Sequence, residues 1–238
     1  MTKSWQNADL SIFPANQKYS ANRKRGLAIV SLDPGSITGN FRCRGWRRKL
    51  AFYTRSLDLP RYRRRGAWDL LATTFRDHPT YVRLDMVYSH VYQIFSKQEL
   101  QNLVKAEDAH VLGQLLPALP QPLTARRLQR YLYLLELMAS QGYSRELAPD
   151  YIGLALGREG QPIKVSEGNH RLAAAQILGL ASIEAEVRYV HEKWYQTMVQ
   201  AQGYSAGPEG ICRALADLEI FSQVENTSSW GNANLFIG

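Results

Sequence analysis

The sequence predicts an α/β (α+β) protein with a small mixed sheet and added helices toward both ends. Two patterns indicate this class. Short apolar runs at 151–156 and 162–166 flank a Gly-rich turn, which predicts a β-hairpin, and an alanine-rich helix follows at 171–178. Farther along, apolar and charged residues alternate over 183–190, which is typical of a half-buried strand.

Elements are also predicted in the N-terminal half. An apolar run at 27–30 predicts a short strand that ends at a Pro-Gly turn. Residues 68–104 have a mainly helical pattern, since apolar residues recur there at spacings of three and four. Ser96 and Glu99 have the spacing of a capping box, which predicts the start of another helix.

In the C-terminal half the signals are stronger. Thr124 is placed to cap a long apolar-faced helix, and Gly142 stands where such a helix would end. Gly179 ends the alanine-rich helix in the same way. Two more helices are expected at 192–200 and 208–221.

Basic residues are concentrated at the N-terminus. Residues 1–65 hold 15 Lys or Arg and 3 acidic residues, whereas the whole chain of 238 residues has a net charge of +8. We therefore divide the chain into a basic N-terminal extension (1–66), a helical region (67–122), an α/β domain (123–191), and C-terminal helices with a tail (192–238).

Composition also excludes several classes of protein. No apolar run reaches the roughly 18 residues of a membrane span. The N-terminus lacks the charged start and apolar core of a signal peptide, so we expect a cytoplasmic location. Two cysteines, Cys43 and Cys212, are too few for a disulfide framework or a zinc site.

The most informative motif is the turn that joins the hairpin to the alanine-rich helix, Glu167-Gly168-Asn169-His170-Arg171. Gly168 permits a tight turn, and the first amide groups of the helix have no partner inside it, so they form an anion site. His170 and Arg171 lie in the first turn, where cations are unfavourable unless an anion is bound. Arg171 can also bind phosphate oxygens with two hydrogen bonds. The alternative is an ordinary strand-to-helix turn.

The segment from about Tyr131 to Val190 resembles a ParB/sulfiredoxin-like domain. That core has a helix ending near Gly, a hairpin, a Gly-x-His/Arg-Arg turn leading an Ala-rich helix, a Gly, and a closing strand. The matching pieces are Met138-Ala139-Ser140-Gln141-Gly142-Tyr143, Pro162-Ile163-Lys164-Val165, Glu167 through Ala175, and Leu178-Gly179-Leu180.

The resemblance implies that ATP or another nucleotide binds at Gly168, Asn169, His170 and Arg171. Sulfiredoxins carry Cys where this chain has Asn169, so their reaction is not expected. The residues after Val190 leave little room for the DNA-binding domain of ParB proteins. A free-serine kinase of the same fold carries an Asp-Gly-His-His-Arg turn, which is closest to this one.

By that resemblance, Glu167 would bind Mg²⁺ or act as a general base, and His170 would share in the catalysis. The alternative for Glu167 is a solvated turn residue. The leading hypothesis is a nucleotide-dependent phosphotransferase or NTPase that acts on an anionic or small-molecule substrate.

Two arginine clusters near the N-terminus suggest a rival function. Aromatic residues are interleaved with them, a composition that single-stranded nucleic-acid surfaces use for phosphate contacts and stacking. An anionic membrane surface, an acidic partner, acidic carbohydrate or a solvated basic arm stay open as alternatives. The rival hypothesis is a ParB-like DNA- or RNA-binding protein, with nucleotide as a switch or absent. The candidate anion contacts are Arg42, Arg44, Arg47, Arg48, Arg63, Arg64 and Arg65.

Overall fold

The computed structural model describes residues 26–42, 56, 58–96, 98–99, 123–143 and 151–227. They build an eight-stranded mixed sheet with helices packed on it, so the predicted α/β (α+β) class is confirmed. In the described part of the chain, no helix combines the length and apolar composition of a membrane span.

The sheet is larger than the sequence predicts. Its order is β4-β2-β6-β5-β7-β1-β8, and β3 also pairs with β7. The pairs β2–β6, β3–β7 and β5–β7 are parallel, and the others are antiparallel. The strands are β1 (Ala28–Leu32), β2 (Gly39–Asn40), β3 (Arg63–Arg64), β4 (Thr73–Thr74), β5 (Ile152–Leu156), β6 (Pro162–Lys164), β7 (Ile183–His191) and β8 (Gln223–Asn226).

The helices follow the sequence signals closely. Thr124 accepts a hydrogen bond from the Arg127 amide at 3.3 Å, and Gly142 ends the same helix in the left-handed region at φ 72°. Ser96 and Glu99 form the reciprocal capping box, with amide-to-side-chain bonds of 2.8 and 3.3 Å. The helices are α1 (Pro79–Val87, continued as a π-helix to Tyr92), α2 (Ala125–Gln141), α3 (Asn169–Ile177), α4 (Glu192–Trp194, continued as a π-helix to Gln200) and α5 (Pro208–Ala216).

The main core lies between the sheet and the helices. Along β5 and β7, Leu154, Ala185 and Val187 point into this core, and they define the helix face of the sheet. Here α1 packs on α3, and α2 contacts both of them. Because side chains alternate along a strand, Ala155 and Ile163 lie on the opposite, outer face, where they form a smaller cluster with Phe41 and Trp68.

Four strands lie outside the sequence predictions: β2, β3, β4 and β8. Three of them are only two residues long, too short for an alternation pattern to show. The sheet thus takes strands from all four predicted segments, including the predicted basic extension. The helix predicted at 208–221 ends at Ala216, and residues 100–122 of the predicted helical region lie outside the described residues.

Candidate functional site

The predicted turn is held tightly against the start of β5. The Gly153 amide donates to the carbonyl of Glu167 at 3.2 Å, and the Val165 amide donates to the carbonyl of Gly153 at 3.0 Å. A Cβ atom on Gly153 would lie 1.8 Å from the Ser166 hydroxyl and 3.0 Å from the Ser166 Cβ, so a larger residue here would force the Ser166 side chain to move. The backbone of the turn is therefore fixed by the strand below it.

Gly168 is the N-cap of α3 and has a left-handed conformation, with φ 88°. A Cβ atom there would lie 2.9 Å from the Cα atom of Ile152. Gly168 has no side chain to accept hydrogen bonds from the first amides of α3, and the first turn holds no acidic residue. Neither a capping side chain nor an acidic residue of the first turn therefore offsets the positive end of the helix dipole.

His170 lies next to α2 on the outside of the helix layer. Its ring centroid is 5.7 Å from that of Tyr131, and the residue is exposed. The protein atoms packed around its ring lower the pKa of His170 by desolvation, and His78, Arg127, Arg130 and Arg171 lower it further by charge repulsion. Of these groups, the three arginines carry a permanent positive charge.

Arg171 lies beside His170 and is partly buried. Its Nη1 atom donates to the Tyr143 hydroxyl at 3.4 Å, which ties the guanidinium to the end of α2. His170 and Arg171 therefore lie side by side in the first turn of α3, next to Tyr131 of α2 and to Tyr143 just after α2.

Glu167 points away from this group, toward the outer face of the sheet. One carboxylate oxygen is 3.7 Å from Nη2 of Arg188, which pairs more closely with Glu186 at 2.5 Å. Glu186 lies on the outer face because both of its neighbours in β7 point into the main core. Glu167 thus belongs to an ion-pair group with Arg188 and Glu186, apart from His170 and Arg171. Its side chain is 35% exposed.

Magnesium ligation was predicted for Glu167. Among the described residues there is no group of three or more His, Cys, Asp or Glu side chains that could hold a metal ion. A single carboxylate suits Mg²⁺ only where substrate phosphate oxygens and waters complete its shell, which is a common arrangement for this ion. Glu167 fits that limited role.

The candidate anion contacts Arg63, Arg64 and Arg65 make contacts within the protein. Arg63 forms a two-bond ion pair with Glu192 at 2.7 and 2.5 Å, and its guanidinium lies 3.8 Å from the ring centroid of Tyr195. Arg64 lies over the ring of Tyr189 at 5.5 Å, and Arg65 pairs with Asp58 at 3.1 Å. Of the remaining candidates, Arg42 is exposed, and Arg44, Arg47 and Arg48 lie outside the described residues.

A buried carboxylate, that of Asp69, holds the segment after β3 against the turn between β5 and β6. Asp69 accepts two hydrogen bonds from the Arg158 guanidinium at 2.8 and 2.9 Å, and its side chain is 0% exposed. Burial raises the pKa of Asp69, but the hydrogen bonds from Arg158 outweigh it and hold that pKa below its usual value.

His191, at the end of β7, makes a second connection to the segment after β3. It donates from Nε2 to the Gly66 carbonyl at 2.7 Å and caps α4 by accepting at Nδ1 from the Lys193 amide at 3.0 Å. Both ring nitrogens are therefore used within the fold, and His191 is a structural residue.

The residues that sequence reasoning missed come from distant elements. Arg127 and Arg130 begin α2, and His78 caps α1 by accepting from the Thr80 amide at 3.2 Å. The only local signal for these three residues was that α1 and α2 each begin without an acidic residue in the first turn. Fully buried Lys164, at the end of β6, was also missed within an apolar strand pattern.

Known proteins give no further guide to this site. No family model, no curated protein and no solved structure matches the chain. The resemblance to ParB/sulfiredoxin-like domains therefore depends on the motifs alone.

Proposed function

We propose that this chain binds the phosphate groups of a nucleotide at the N-terminus of α3. A phosphate there would accept hydrogen bonds from the amides that follow Gly168 and from the side chains of Asn169 and Arg171. The reaction class that suits such a site is phosphoryl transfer or nucleotide hydrolysis, with ATP as the first nucleotide to test.

One observation supports the proposal most directly. Gly168 turns the chain at φ 88° into a helix whose first turn carries His170 and Arg171 and no acid. Helix N-termini favour negative side chains, so this arrangement is unfavourable in isolation. A bound phosphate would reverse the sign of that interaction.

In this proposal Glu167 is the carboxylate nearest in sequence to the phosphate site. Its side chain is directed toward Arg188, 3.7 Å away, so it would have to turn toward the start of α3 to bind a magnesium ion held by nucleotide phosphates. The ion would neutralise charge on the phosphates, and Glu167 would hold it or accept a proton from the attacking group.

Calorimetry with ATP, ADP and CTP, each with and without Mg²⁺, tests the binding step. We expect wild type to bind at least one nucleotide and Arg171→Ala to bind it about 10-fold to 100-fold more weakly, because a charge-assisted bond to phosphate is lost. Arg213→Ala is the matched control, since Arg213 is exposed and pairs only with Glu209 at 3.1 Å. Absence of binding by wild type would refute the proposal.

Two further measurements test the proposed reaction on the nucleotide and the rival function of nucleic-acid binding. Glu167→Gln should bind the nucleotide within about two-fold of the wild-type affinity. It should no longer release phosphate from that nucleotide, because a carboxamide is a poor base and a poor magnesium ligand. Oligonucleotide binding that is tight and falls steeply with salt would instead favour the nucleic-acid hypothesis.

A further inference from the structure

Glu167 points toward the outer face of the sheet, although the proposed function needs its carboxylate beside the start of α3. The hydrogen bond from the Gly153 amide to its carbonyl fixes the backbone here, so the carboxylate changes sides by rotation of the side chain alone. The side chain is 35% exposed and thus has room to rotate. The contacts that hold the carboxylate on the outer face therefore control its access to the phosphate site.

Arg188, on β7, contacts Glu167 on that outer face. Its Nη2 atom lies 3.7 Å from a carboxylate oxygen of Glu167 and 2.5 Å from one of Glu186. The longer distance exceeds that of a hydrogen bond, so the contact with Glu167 is electrostatic only. Glu186 is the stronger competitor, because its side chain is 7% exposed and water screens the pair less. The two carboxylates thus share one guanidinium.

The Arg188 guanidinium has capacity for a further acceptor. Its Nε atom is buried and has no hydrogen-bond partner within the part of the chain that the structure describes. A buried donor without an acceptor is unfavourable. Without the charge of Glu186, Nε and Nη2 could both donate to Glu167 in the two-bond geometry that arginine favours with carboxylates. Glu186 also accepts a hydrogen bond from the Gly26 amide, which fixes its position beside Arg188.

We infer that Arg188 is a latch that keeps Glu167 away from the start of α3, and that Glu186 weakens this latch by competing for the same guanidinium. The inference rests on the proposed function, in which Glu167 acts on the bound nucleotide, and adds a regulatory contact to it. A partly exposed ion pair shifts an equilibrium by at most about five-fold. The latch therefore sets the fraction of molecules in which Glu167 is available, and it does not exclude that state.

A thermodynamic cycle on the protein without ligand tests the latch itself. Glu167→Gln, Arg188→Gln and the double variant are unfolded in urea, first with Glu186 present and then in the Glu186→Gln background. We expect the Glu167–Arg188 coupling to change the unfolding equilibrium constant about two-fold with Glu186 present and about five-fold without its charge. Each cycle subtracts the effects of the single changes, so the cost of leaving Glu186 unpaired cancels.

Phosphate release from the nucleotide tests the consequence of the latch. Glu186→Gln keeps an acceptor for the Gly26 amide and leaves Arg188 to Glu167, so release should slow about two-fold. The variant Glu186→Gln/Arg188→Gln removes the latch without leaving a buried charge, so release should become about two-fold faster.

The opposite signs distinguish the latch from damage to the fold, which would slow release in both variants. Arg213→Gln is the matched control, since Arg213 is an exposed arginine that pairs with Glu209 at 3.1 Å. It should release phosphate at the wild-type rate.

The outcomes separate this inference from the proposed function. If the coupling is the same with and without the Glu186 charge, or if Glu186→Gln releases phosphate as fast as wild type, the inference is wrong and nucleotide binding at α3 is unaffected. If the coupling rises as expected in a chain that binds no nucleotide, the proposed function is wrong and the latch stands.

Discussion

Replacement of Gly168 by alanine tests whether the start of α3 is fixed by the strand beneath it. The added methyl group would lie 2.7 Å from Cγ1 and 2.9 Å from Cα of Ile152. One of these atoms is backbone in a central strand of the sheet, so it cannot move without displacing its neighbours. The turn itself would have to shift.

Two costs add at this position. Alanine in the left-handed region costs about 1–2 kcal/mol relative to glycine. The overlap with Ile152 adds about 1–3 kcal/mol, the usual range for overpacking in a well-packed site. We therefore expect Gly168→Ala to lower the free energy of unfolding by about 2–5 kcal/mol.

Gly179 supplies a matched control at the other end of the same helix. It also has a left-handed backbone, with φ 64°, but a Cβ atom there meets nothing within 4 Å. Gly179→Ala should therefore cost only about 1–2 kcal/mol. Urea denaturation of both variants measures the difference, and equal losses of stability would refute the claim that the turn is clamped on β5.

Four other substitutions have defined outcomes. Asp69→Ala should lower the free energy of unfolding by about 2–4 kcal/mol in urea denaturation, somewhat below a fully buried ion pair, because Arg158 is 25% exposed. Glu159→Ala, which breaks an exposed pair with the Lys193 ammonium, should change it by less than about 0.5 kcal/mol. Thr124→Ala should cost about 1 kcal/mol in the same assay through loss of the α2 cap. The folded-state pKa of His170 is lowered, so the unfolded state binds more protons and wild-type stability should fall as pH drops below about 6.5. His170→Asn should remove that part of the pH dependence, as measured by urea midpoints at two pH values, and an unchanged dependence would contradict the assignment.

Local structure could be predicted from the sequence because its signals lie within a few residues. The cap at Thr124, the capping box at Ser96 and Glu99, and the hairpin before the turn all occur where expected. Each depends on side chains that bond to backbone atoms three or four residues away, or on apolar periodicity over one element. The candidate anion turn was predicted on the same local basis.

The remainder of the fold depends on contacts between distant segments. Arg63 and Arg64 look like part of a basic arm, yet they form β3 and pair with the far end of β7. Nothing local distinguishes two arginines in a strand from two in a solvated loop. Likewise, no pattern around Glu167 predicts Arg188 as its partner, because that pairing depends on which face of β7 each side chain occupies.

The site that results is unusual in where its charges lie. A folded chain is expected to place acids at helix starts, as α4 and α5 do, and to pair its partly buried cations, as the Arg63–Glu192 and Arg158–Asp69 pairs show. Around His170 the first expectation fails at the starts of α1, α2 and α3, which are far apart in sequence. Departures from local rules that coincide in space indicate a functional site more strongly than one departure does, because each is unfavourable alone and one anion would relieve them all. That coincidence is a reason, independent of family resemblance, to look for phosphate there first.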